Sequence, residues 1–103
     1  MSSRQEYIER LRKQLEEWDY ELDRLEHRAR DLADQARDRA QSQLEEARKY
    51  RKEVEQKIGK LEDSASQAYE DIRDGLEIAW DGIKTGYYAA RSEFEDRKND
   101  KDS

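Results

Sequence analysis

The sequence predicts an all-α chain: one long amphipathic helix, or two long helices forming a coiled coil. Heptads occupy residues 8–36 and eleven-residue repeats occupy 61–94. Three observations predict this. An apolar stripe recurs at alternating three- and four-residue steps, the spacing of a helix that buries a narrow seam. No proline interrupts it. Charged residues make up 47% of the 103-residue chain against 33% hydrophobic ones, too few apolar residues for an ordinary compact domain and too regular for a disordered one.

Taken in chain order, Ser3 with Glu6 reads as a capping box, so residues 1–3 form an N-terminal cap. A heptad helix over 4–60 follows. Its expected interaction seam is Ile8, Leu11, Leu15, Trp18, Leu22, Leu25, Leu32, Leu44, Val54, Ile58 and Leu61, continuing to Ile72. Acid-to-base pairs such as Glu6 with Arg10 and Glu53 with Lys57 support the helix. Near Ala36, Ala40, Leu44 and Ala47 the steps become four, four and three, an insertion that locally unwinds a left-handed supercoil. Arg51 interrupts the seam, either packing its stem and reaching water or setting register.

From Leu61 the period becomes eleven, with Ser64, Gly75 and Gly86 in equivalent places, as are Tyr69 and Trp80. The face Leu76, Ala79, Trp80, Ile83, Tyr87, Ala90 and Phe94 is broader than a heptad seam and is a candidate partner or lipid face. The stripe crosses Gly59–Ser66 in phase, which favours a continuous or gently bent helix there. A hairpin turning at that point is the alternative, setting Ile83 and Tyr87 against the alanines near Ala36. Residues 95–103 carry no apolar side chain and are expected to be a disordered charged tail.

The chemistry is sparse. There is no cysteine, and the lone His27 lacks the acid three residues earlier that a helical di-iron site needs, since position 24 is Arg24. No phosphate loop or nucleophile with its base is present, so no catalytic residue, cofactor or metal is expected. The net charge of −6 opposes nucleic-acid binding. No apolar run is long enough to cross a membrane or serve as a leader, so cytoplasmic residence is expected, with peripheral membrane contact left open. Lys84, Tyr87, Tyr88 and Arg91 form a small mixed patch suited to a lipid headgroup or a partner's acidic edge.

Residues 4–9, Arg-Gln-Glu-Tyr-Ile-Glu, with Gln14-Leu15-Glu16-Glu17-Trp18, resemble the opening of small bacterial coiled-coil proteins of this length, some of which are labelled stress-response. Ala68-Tyr69-Glu70-Asp71-Ile72 and Ala79-Trp80-Asp81 look like their second hallmark, with Tyr69 where tryptophan is usual. The resemblance implies a helical, non-enzymatic protein in a bacterial stress setting. The eleven-residue period is also similar to that of desiccation-protection proteins and exchangeable apolipoproteins. The resulting expectation is a cytoplasmic coiled-coil interaction protein that forms a homo-oligomer or pairs with a partner helix. The alternative is a stress protectant whose repeats fold on a lipid or apolar surface.

Overall fold

The computed structural model describes residues 3–102, with side chains described over 4–65 and 67–94. The described residues form three helices: α1 (Ser3–Ala29), α2 (Asp34–Asp63) and α3 (Ser66–Asp102). The all-α class is as predicted. The number of helices is not, because the chain turns twice where one helix or two were expected.

The first turn breaks the helix expected over 4–60. Amides of Arg30, Asp31 and Leu32 donate to the carbonyls of His27, Arg28 and Ala29 at 3.1–3.3 Å. This three-residue spacing tightens the end of α1 and satisfies its orphan carbonyls. His27 and Arg28 complement the negative end of the helix dipole. Leu32 is buried in the turn, which ties the loop to the core. α2 then starts from an extended Ala33 that offers no side-chain cap. Asp34 supplies negative charge in the first turn and pairs with Arg37 at 3.1 Å.

The second turn lies at Ser64–Ala65, in the region where the hairpin alternative placed it. Ser64 is extended and its hydroxyl donates to the Leu61 carbonyl at 3.2 Å. The Arg4 guanidinium completes the cap from α1. It donates to the Leu61 carbonyl, to the Ser64 carbonyl at 2.8 Å and to the Ser64 hydroxyl at 2.6 Å. Its plane also lies 4.6 Å from the Tyr69 ring centroid. The capping box expected at Ser3 falls on a side chain outside the described ones. The tail expected over 95–103 continues α3 to Asp102 in the described backbone.

Contacts between helices fix an up-down-up order. Arg12 pairs with Glu62, Arg51 with Asp19, and Arg48 with Asp23 and Glu26, so α1 and α2 are antiparallel. Gly75 faces Lys57, Gly82 faces Tyr50, Gly86 faces Ala47, and Arg39 pairs with Glu93, so α2 and α3 are antiparallel as well. The bundle measures 55 × 21 × 19 Å.

The core has two sections. One holds Ile8, Leu11, Leu15, Val54, Ile58, Leu61, Leu76, Ala79 and Ile83. The other holds Leu22, Leu25, Ala29, Leu32, Ala40, Leu44, Ala47 and Ala90. The stripe therefore finds its partners inside one chain, and the expectation that it needs a second molecule is corrected. Folding one rod into three short ones lets each apolar face cover the next, which the low apolar fraction concealed. Fully burying a residue such as Leu22 or Leu44 is worth about 1.5–3 kcal/mol. No buried side-chain nitrogen or oxygen among the described residues lacks a hydrogen-bond partner.

The α2–α3 interface is the tightest. A Cβ on Gly86 would lie 2.9 Å from both the Ala47 Cβ and the Gln43 carbonyl oxygen, and one on Gly82 would meet the Tyr50 ring at 2.4 Å. Nothing lies within 4 Å of a Cβ on Gly59. The two substitutions should therefore act with opposite sign. Gly59→Ala should raise stability by about 0.5–1 kcal/mol through helix propensity. Gly86→Ala should lower it by roughly 1–3 kcal/mol, because backbone rather than a flexible side chain blocks the new methyl. Urea unfolding followed by circular dichroism reads both.

Candidate interaction groove

α2 is central: it packs closely against α3 and meets α1 through apolar side chains and ion pairs, while the α1 and α3 backbones lie farther apart and meet through their side chains. Arg51 and Arg48 both link α2 to α1. Arg51 donates from Nε and one Nη to the two carboxylate oxygens of Asp19 at 2.7 and 2.9 Å, and reaches Glu55 at 2.7 Å. A fork of this kind is stronger and more directional than a single ion pair. Hydrogen bonding to Asp19 raises the Arg51 pKa above its already high ordinary value. The residue that interrupts the seam is thus a cross-helix fastener.

Between α1 and α3 runs an open groove. Its middle section, about 700 Å³, is lined on one wall by Gln14, Glu17, Trp18 and Glu21 and on the other by Trp80, Lys84, Tyr87, Tyr88 and Arg91. Trp18 meets Tyr87 edge to face with centroids 5.1 Å apart, and Tyr87 meets Tyr88 likewise at 5.3 Å. These geometries favour aromatic pairs. The groove continues past Tyr7, Leu11, Leu76 and Asp81 at one end, and past Arg24, Leu25 and Arg28 at the other. α1 and α3 run parallel along it, since Tyr7 lies by Arg73, Trp18 by Tyr87 and Arg28 by Phe94.

The expected site residues divide between core and groove. Of the seam, Ile8, Leu11, Leu15, Leu22, Leu25, Leu32, Leu44, Val54, Ile58 and Leu61 are buried in the chain's own core, while Trp18 and Ile72 are half-buried. Of the face on α3, Leu76, Ala79, Ile83 and Ala90 are also core residues. Trp80, Tyr87 and Phe94 are half-buried at its edge. The mixed patch read from Lys84, Tyr87, Tyr88 and Arg91 is one wall of the groove. Sequence reasoning missed the opposite wall on α1, because Gln14, Glu17 and Glu21 look like ordinary solvated positions until α3 lies beside them.

The groove is amphipathic. Tyr88 is 55% exposed, unusual for an aromatic beside two others. Glu17, Arg24, Asp81 and Lys84 form no ion pair within the chain among the described residues. Such a surface resembles the aromatic centre and charged rim of protein interfaces. Among the described residues no group of acids, histidines or cysteines is placed to hold a metal ion, and no helix is long and apolar enough to cross a membrane. Compared with family models, curated proteins and solved structures, the chain matches none.

The Tyr87 hydroxyl donates to Glu21 Oε2 at 3.2 Å, a direct polar link across the groove. Burial raises the Tyr87 pKa above the ordinary 10.0, and the negative charge of Glu21 adds to this while Arg91 opposes it. A pKa raised on folding means that the neutral phenol is favoured in the native state. The stability it contributes is intact below about pH 10 and is lost as pH rises through the folded value. Tyr87→Phe should cost less than about 1 kcal/mol at neutral pH, because the bond is partly solvated. It should also flatten the alkaline loss of stability, read by melts across the pH range in which phenolate absorbance grows.

Proposed function

We propose that this chain is a non-enzymatic, cytoplasmic interaction protein that uses the α1–α3 groove to take up a helix from a protein partner. One observation carries the reading. The stripe is satisfied internally, yet Trp18, Trp80, Tyr87 and Tyr88 are left along an open channel with charges on both walls. An amphipathic helix laid there would bury its apolar face on the aromatics and turn the bundle into a four-helix arrangement. Its polar flanks would meet Glu17 and Glu21 on one side and Lys84 and Arg91 on the other. The bacterial stress setting rests on the residue resemblance alone and is the setting in which to seek the partner.

The alternative of a film-binding α3 is less well supported. Leu76, Ala79, Ile83 and Ala90 are core residues, so lipid contact through that face would require the bundle to open. The acidic balance over residues 60–84, a net of −4, also opposes anionic bilayers.

A photo-crosslinking residue placed at Tyr88 and, as a control, at Lys52 on the exposed face of α2 tests the reading in cells. Discrete protein adducts at position 88 and none at position 52 are the expected result. Equal labelling at both sites, or helix gain on zwitterionic vesicles without protein adducts, would replace the reading with a non-specific or lipid-bound one.

A further inference from the structure

We propose that the helix-bearing partner of the groove is a second copy of this chain, docked antiparallel across a two-fold axis near Tyr88. The inference rests on the groove reading above and names its occupant.

Along the groove, Glu77 and Asp81 on α3 and Glu17 on α1 outweigh the single Lys84 toward one end. Arg24 and Arg28 on α1 and Arg91 on α3 outweigh Glu21 toward the other, beyond the Trp18–Tyr87 contact. Each helical residue advances the chain by about 1.5 Å. Asp81 thus lies roughly 9 Å below the level of Tyr87, and Arg91 about 6 Å above it. A two-fold axis perpendicular to the groove near that level brings the acidic end of one copy over the basic end of the other, twice over. A parallel arrangement would instead stack like charge on like charge.

Two further observations point the same way. α1 and α3 run parallel, so their helix dipoles add along the groove, and an antiparallel second copy opposes both. The face shared by α1 and α3 is as long as α1, about 40 Å, and the bundle is 21 Å wide, on the order of 800 Å², the ~800 Å² per partner of a standard interface. At the axis the half-open Tyr88 of each copy would meet its equivalent, backed by Tyr87 and Trp18. The aromatic centre is then enclosed and the charges form a rim, as in isologous interfaces.

Sedimentation equilibrium of the full chain at up to about 100 µM, paired with a charge-exchange experiment, tests this. One variant carries Glu17→Lys and Asp81→Lys; the other carries Arg24→Glu and Arg91→Glu. All four positions lie outside the core, and circular dichroism checks that both variants remain helical. The wild-type chain should give twice the 12.4 kDa protomer mass. Each variant alone should dissociate about tenfold more readily, since both ends then repel. An equimolar mixture should form a one-to-one heterodimer of near wild-type affinity, since both ends attract again. A monomeric wild type overturns the inference, as does a mixture no tighter than the separate variants. If the wild type is monomeric while position 88 still crosslinks to other proteins, self-pairing fails and the groove reading stands. If neither occurs, both fail.

Discussion

The close approach of α2 and α3 is the constraint on which the rest of this structure depends. At Gly86 there is no room for a methyl group, and at Gly82 the Tyr50 ring fills the space a side chain would take. Packing at this distance fixes which side of α3 faces α2. Leu76, Ala79, Ile83 and Ala90 then become core, and Trp80, Tyr87 and Tyr88 are turned to the flank. α1 joins through its own apolar stripe and through the arginine forks from Arg48 and Arg51. These hold it over α2 and leave its far side apart from α3. The groove is the space that remains.

Much of the fold was legible because helical periodicity is local. The positions of the stripe are core positions almost throughout, and of the small residues of the eleven-residue repeat Gly86 serves close packing while Ser64 ends a helix. What the sequence disguised was connectivity. The first turn contains neither glycine nor proline, and Ala33 provides no cap, so the signals that normally announce a helix end are missing. Its trace was the change of step near Ala36 and Ala40. A four-residue insertion in a supercoil and a turn followed by a fresh helix shift the apolar pattern in the same way, and periodicity alone does not separate them. The second turn was readable from Ser64 but masked by a stripe that continues in phase. Its remaining stabilisation comes from Arg4, far away in sequence and invisible to local reasoning.

The groove shows the same division. The α3 wall was apparent as a mixed aromatic and basic patch, because its members lie within eight residues. The α1 wall was not, because nothing about Glu17 or Glu21 differs from the other acids of a charged helix. A surface built from two parallel helices joined through a third combines side chains separated by more than sixty residues, such as Glu21 and Tyr87. Recognising it requires the topology first. The topology also redirects the functional argument: with the stripe satisfied internally, binding is argued from the aromatic side chains the core leaves over.

Arg4 carries a consequence for how the chain acquires its shape. Its partners, Leu61 and Ser64, are 57 and 60 residues further on, so during synthesis the first helix leaves the ribosome long before the turn it must cap exists. The α2–α3 hairpin has its own close packing and the shorter of the two loops. The guanidinium therefore latches α1 to the α2–α3 junction, so its loss would loosen both together.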